Sequence, residues 1–286
     1  MNFSSSLKST GVLLSLSFII LCLASFGIYA ADAAKQNPPQ PVAPAAPPSA
    51  ETQGVITLPL IGQTAPAFKA ETTQGPINFP DDYKGKWVIL FSHPADFTPV
   101  CTTEFITFGY MQPQFDTLNC QLIGLSIDST FSHIAWLLTI KEKIKYKGME
   151  GVTVMFPLIA DVKMDIARKY GMIQPAASDT KAVRAVFYID PQAKVRAIMY
   201  YPASVGRNFQ EIKRVLIALQ TTDAQNCATP ADWQPGDDVI VPPPGSCGAA
   251  LERINSKEKD TYMLDWFLTF KKLPKEKLTL PPGDRK

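Results

Sequence analysis

Histidine is the scarcest chemical resource in this sequence: His93 and His133 are the only two in 286 residues. That is too few for a multi-histidine metal centre. Cysteine is sparse as well, at five, and no Cys-x-x-Cys pair or ligand cluster occurs, which excludes a disulfide scaffold and a zinc ribbon. Charge of one sign is missing too. The 28 basic and 26 acidic residues leave a net charge of +2, and no basic stripe carries interleaved aromatics, so a nucleic-acid partner has no electrostatic footprint. What the chain does have is apolar material, 46% of its residues. That suffices for one large domain with appendages.

Residues 1–33 read as an export signal. Lys8 supplies the positive start, and Gly11 to Tyr29 is almost unbroken Leu, Ile, Phe, Ala and Ser. Ala31-Asp32-Ala33 or Ile28-Tyr29-Ala30 offers a cleavage site. The run is long for a leader and nearly long enough to span a bilayer. The expectation is therefore an exported protein, periplasmic or otherwise extracytoplasmic, whose segment is either removed or kept as a membrane anchor. Cys22 follows Leu21 rather than a small residue, which argues against lipoprotein processing. Residues 34–54, with Pro38, Pro39, Pro41, Pro44, Pro47 and Pro48, form an extended Pro/Ala-rich linker.

From residue 55 to 221 the pattern alternates between strands and helices. Trp87–Ser92, Leu122–Asp128 and Phe156–Ala160 read as strands, and Val183–Asp190 with Val195–Tyr201 as a hairpin. Cys101–Gln114 and Ile134–Tyr146 read as helices, and Ile212, Val215, Leu216 and Leu219 line one face of a third. This predicts an α/β domain with a mixed central sheet. Residues 222–286 form an extension: a proline-rich extended part through Pro242-Pro-Pro244, then mixed helix formers over Ala249–Leu268 with aromatic Tyr262, Trp266 and Phe267.

The segment Pro94-Ala-Asp-Phe-Thr98-Pro99-Val100-Cys101 follows the strand Trp87–Ser92 directly. It places Cys101 in the first turn of a helix, where unpaired N–H groups and the helix dipole favour a thiolate. A cysteine so placed is a nucleophile. With Phe91-Ser92-His93 before it and Thr102-Thr103-Glu104 after it, the segment resembles the active-site segment of peroxiredoxins, in their one-cysteine branch with a long C-terminal extension. Ser126-Ile-Asp128-Ser129, His133, Trp136, Arg184-Ala-Val-Phe-Tyr-Ile-Asp190, Tyr201-Pro202, Gly206-Arg207-Asn208 and Ala228-Thr-Pro-Ala-Asp-Trp233 are similar to further family landmarks, in the same order.

The resemblance implies a thioredoxin-like fold, a C-terminal arm that packs across a homodimer or higher oligomer, and a peroxidase that needs no cofactor. Cys101 would attack hydrogen peroxide or an organic hydroperoxide and become a sulfenic acid, which an external thiol then reduces. Arg184 would hold sulfur and peroxide oxygen with its fork of donors. Thr98 would hydrogen-bond at the thiolate, and Pro94 would fix the loop and shield the sulfur. His93, Arg207 and Glu104 are auxiliary: a ring beside the pocket, a turn-or-site arginine, and a carboxylate that orients an arginine or decorates the helix.

Three rivals share features with this reading. A thiol–disulfide oxidoreductase needs a resolving cysteine beside the nucleophile, and Cys101 has threonines there. A thioredoxin-like binding or chaperone module would not require Thr98, Cys101 and Arg184 together. Some eukaryotic relatives carry a lipase-like serine, but here Lys86 stands in its place and Pro80 in that of its histidine. Of the remaining thiols, Cys120 reads as buried and inert. Cys227 and Cys247 would close a structural disulfide, or one of them would resolve Cys101 across a dimer.

Overall fold

The computed structural model describes residues 58–256 and 258–284. The leader and the linker lie outside the described residues. Among the described residues, no helix is long and apolar enough to cross a membrane.

A short hairpin comes first, β1 (Phe68–Ala70) with β2 (Ile77–Phe79). The order is then β3 (Trp87–Ser92), α1 (Pro99–Thr117), β4 (Cys120–Ser126), α2 (Thr130–Lys143), β5 (Leu158–Ala160), α3 (Asp165–Lys169), β6 (Arg184–Ile189), β7 (Val195–Tyr201) and α4 (Phe209–Gln225). The main sheet runs β5-β4-β3-β6-β7. β3, β4 and β5 are parallel, joined through helices, while β6 pairs antiparallel with β3 and β7. The sheet is mixed, as its sequence pattern predicts.

Strand β3 is the central strand, and all six of its residues are buried. The alternation of the pleat explains why it is apolar throughout. Trp87, Ile89 and Phe91 face a core shared with α1, α2 and α4, through Phe105, Phe108, Trp136, Ile212 and Leu216. Val88 and Leu90 face a second core with Phe68, Phe79, Ile166 and Tyr170.

The extension is built differently from its composition. It holds β8 (Val239–Val241), α5 (Cys247–Asn255), β9 (Thr261–Asp265) and β10 (Leu268–Lys271), with the three strands in the order β8-β10-β9. The helix-forming reading of Ala249–Leu268 holds only for its first part. Trp233, Leu273 and Leu280 of this region join the main core, so its inner face is part of the domain. Its outer face leaves Leu251, Ile254, Leu264, Trp266 and Phe267 exposed.

Candidate active site

Three elements bring the site together. Thr98 is extended, and Pro99 occupies the first helical position, where its missing N–H costs nothing and its fixed φ suits the helix. Cys101 is therefore the third residue of α1, and it is fully buried. Strand β6 begins with Arg184, and the loop before α4 supplies Arg207, with Asn208 capping the helix through Gln210 and Glu211.

Arg184 is not a strand-edge arginine. It lies on an interior strand and is 2% exposed. Its Nη1 donates toward Cys101 Sγ at 3.3 Å and to Glu104 Oε2 at 2.8 Å. Nε and Nη2 donate to the Ala203 carbonyl at 3.1 and 2.7 Å, which fixes the plane of the fork. Arg207, which sequence alone leaves between turn and site, is buried as well. It donates to Glu104 from its backbone amide, Nε and Nη2, and to the Ser92 and Ala185 carbonyls from Nη1. Its guanidinium also lies 5.2 Å from the centre of the Phe91 ring.

Glu104 thus serves two arginines at once. Burial pushes its carboxyl up, but the charge and hydrogen bonds of Arg207, with Arg184 behind them, outweigh this and hold it below the usual range. One carboxylate facing two guanidiniums leaves one positive charge uncompensated. Cys101 Sγ is within 3.3 Å of it.

On the other side of the loop is a second polar cluster that the sequence does not announce. Asp96 accepts from His93 Nε2 at 3.1 Å, His133 Nδ1 at 2.8 Å and Ser132 Oγ at 2.8 Å. Its amide donates to Asp128 Oδ2 at 3.0 Å. Burial works against the Asp96 carboxylate, yet the hydrogen bonds from His133 and His93 prevail and lower its pKa. His133 Nε2 faces the Ile159 carbonyl at 3.1 Å. His93 stacks on Trp136 and meets Phe105 edge-on; its Nδ1 is buried without a partner. Burial lowers its pKa, against the pull of Asp96. His93, Asp96 and Asp128 offer ligand atoms within 4.8 Å of one another. His93 Nε2, both Asp96 oxygens and Asp128 Oδ2 are already engaged in hydrogen bonds, so the cluster is a polar network in which His93 Nδ1 is left unpaired among the described residues.

Pro94 is buried in the loop. The Thr98 hydroxyl donates to the Ala95 carbonyl at 2.9 Å, and its own carbonyl accepts from Thr102. Trp136 Nε1 donates to Thr102 Oγ1 at 3.1 Å, tying α2 to the helix that carries Cys101. Phe97 in the same loop has φ 54° and is exposed. Cys227 and Cys247 stand as free thiols, half-buried and exposed respectively. Cys120 is buried, and burial pushes its thiol far up, in keeping with an inert role. A separate cavity of about 320 Å³ is bounded by Pro80, Tyr83, Lys86 and Asp190 among others, and among the described residues neither serine nor histidine lines it. A lipase-type nucleophile and base are both missing there.

Residues 61–198 match the AhpC/TSA family, and residues 218–257 match the C-terminal domain of 1-Cys peroxiredoxin. A peroxiredoxin of Methanosarcina mazei is 65% identical over 215 residues, covering 75% of this chain and 98% of the relative. One of Aquifex aeolicus is 50% identical over 229 residues, covering 77% and 99%. Among solved structures, a yeast mitochondrial 1-Cys peroxiredoxin is 42% identical with a TM-score of 0.64, covering 75% of this chain and 99% of the other. A cysteine-to-serine mutant of peroxiredoxin 6 of Arenicola marina is 36% identical with a TM-score of 0.63, covering 76% and 99%. The five-stranded mixed sheet with its helices is accordingly the thioredoxin-like fold of these proteins, carrying a C-terminal extension. The chain belongs to the peroxiredoxin family and is a thiol-dependent peroxidase.

Proposed function

We propose that Cys101 is the peroxidatic nucleophile and that Arg184 is the group that holds its charge. The observation that carries this is the 3.3 Å contact from Arg184 Nη1 to Cys101 Sγ, made while the same nitrogen is anchored on Glu104. The thiolate attacks one peroxide oxygen, an S–O bond forms and the O–O bond breaks. The departing oxygen takes a proton and leaves as water or an alcohol, and Cys101 is left as a sulfenic acid. A guanidinium fixed beside the sulfur stabilises charge on the attacking and leaving atoms without reorganising at the moment of reaction. Arg207 and Pro94 are positioning residues, the first through Glu104 and the second through the loop. Thr98 serves the site by turning its hydroxyl from Ala95 to the bound peroxide.

Labelling with a sulfenic-acid trap after one equivalent of peroxide tests this. The trap is expected on Cys101, and Cys101→Ser is expected to lose peroxide consumption. Retained turnover in that variant would overturn the assignment.

The cycle closes with an external thiol rather than a second cysteine of the same chain. Cys120 is buried at the start of β4, and Cys227 is separated from Arg207 by the whole of α4. Intact mass after peroxide, with and without added thiol, should show a sulfenic acid and then a mixed disulfide. The exposed apolar face of α5 and the β9–β10 turn supports a homodimer formed through the extension. Sedimentation of Trp266→Glu should show monomer if that face is the interface. The N-terminal segment supports export. Fractionation should place the protein outside the cytoplasm, and polar replacement of residues 13–23 should retain it inside.

A further inference from the structure

At the opposite end of α4 from Arg207 lies a cavity of different character. It holds about 320 Å³, with Cys227, Arg253 and Lys271 in its wall and Val239, Val241 and Leu273 among its apolar surfaces. Among the described residues, no acidic one lines it. Arg253 Nη1 is buried and has no hydrogen-bond partner among the described residues, a condition that costs free energy until an acceptor arrives. Burial raises the Cys227 thiol, and Lys271 opposes that rise, so the second cation lies close enough to act on the sulfur. The thiol itself makes only a long contact, 3.9 Å to the Thr221 carbonyl. The 17 residues of α4 span about 26 Å at about 1.5 Å per residue, which keeps Cys227 away from its own chain's Cys101.

We propose that this cavity binds a small carboxylate-bearing thiol compound and that Cys227 is its point of covalent attachment. The carboxylate meets the Arg253 fork and Lys271. A short aliphatic arm lies on Val239, Val241 and Leu273, and the sulfur reaches Cys227. The oxidant is the symmetric disulfide of that thiol, RSSR. Cys227 gives up its proton and its sulfur attacks one sulfur of RSSR. The Cys227–S–S–R bond forms, the RS–SR bond breaks, and the leaving thiolate takes a proton to become RSH. Peroxide reduction by an external small thiol releases that same disulfide with each turnover, so the inference rests on the external-thiol cycle proposed above. Cys227 would then record accumulated product, and excess RSH would erase the record.

The test uses full-length protein carrying Cys101→Ser, so that labelling does not depend on peroxide chemistry. Glutathione disulfide serves as the anionic probe and 2-hydroxyethyl disulfide as the neutral one, with the labelled residue located by peptide mapping. Glutathione disulfide is expected to label Cys227 in preference to Cys247. Adding Arg253→Ala or Lys271→Ala should slow that labelling by about tenfold, the effect of one charge-assisted hydrogen bond, and leave labelling by the neutral probe unchanged. Labelling of Cys247 alone would overturn the proposal. So would equal slowing with both probes, or a Cys227–Cys247 bridge in the resting protein. Turnover of the wild-type enzyme with small thiols is measured separately, so failure of the cavity and failure of the external-thiol cycle are read independently.

Discussion

Arg207 grips Glu104 with three donors: its backbone amide at 2.8 Å, Nε at 3.0 Å and Nη2 at 2.7 Å. The same carboxylate takes Arg184 Nη1 at 2.8 Å. An arginine that never touches the sulfur therefore sets the position of one that does.

Glu104→Gln keeps the shape and removes the charge. Two buried guanidiniums are then left without a carboxylate, and losing one partner of a buried pair costs about 3–5 kcal/mol. Urea unfolding should show a loss of that order. An unchanged midpoint would mean that the two arginines find other partners.

Arg184→Lys tests the fork rather than the charge. Lysine cannot span Ala203, Glu104 and Cys101 Sγ together. The second-order rate of Cys101 with hydrogen peroxide, followed by stopped flow, should fall about 10²–10³-fold, the usual effect of removing one preorganised donor. A wild-type rate would reduce Arg184 to a bare point charge.

Stability should fall as the solution is acidified from about pH 6.5, the ordinary histidine value. Burial lowers the His93 pKa in the folded chain. Below pH 6.5 the unfolded chain binds a proton that the folded chain refuses, so unfolding gains. A second decline sets in below about pH 4.5, where the unfolded chain protonates Glu104 and Asp96 while the folded chain holds both carboxylates ionised. Urea midpoints across pH 4–7 should show both phases, and His93→Gln should remove the first while leaving the Glu104 part of the second. A first phase that survives the substitution would assign it to another group.

Gly124→Ala is expected to destabilise by about 1–3 kcal/mol through overpacking. A Cβ there would lie 2.9 Å from Leu158 Cδ1, 3.2 Å from Phe91 Cζ and 3.4 Å from Phe105 Cζ. The leucine tip can yield, but Phe105 is wedged between Phe91, Trp136 and His93. Displacement of that ring should also change the His93 ring resonances in an NMR spectrum. Unchanged stability would show slack in this cluster.

The central strand and the position of Cys101 are legible in the sequence because their causes are local. A six-residue apolar run makes β3, and Pro99 starts the helix. The buried roles of Arg184 and Arg207 are not local, since both depend on Glu104, which lies 80 and 103 residues away. Asp96 sits inside the recognised segment yet passes for a spacer, because His133 is 37 residues downstream. Strands β9 and β10 escape notice for a related reason. Thr261–Asp265 and Leu268–Lys271 are short and mixed in polarity, and β8 pairs with β10 only after the chain folds back.

One contact of Arg207 reaches beyond chemistry. The β3–β6 ladder ends at the Phe91–Val186 pair, and one residue beyond it on each strand a guanidinium nitrogen bridges the Ser92 and Ala185 carbonyls at 3.0 Å. The Ala185 amide meanwhile donates to Ser92 Oγ at 3.1 Å. The last rung between these strands is thus made of side chains. Exchange of the Ala185 amide with deuterated solvent should then follow the integrity of the arginine–glutamate cluster, rising in Glu104→Gln while amides in the middle of β3 keep their protection. A backbone position would serve as a gauge of the buried arginine–glutamate charge, read without adding any peroxide.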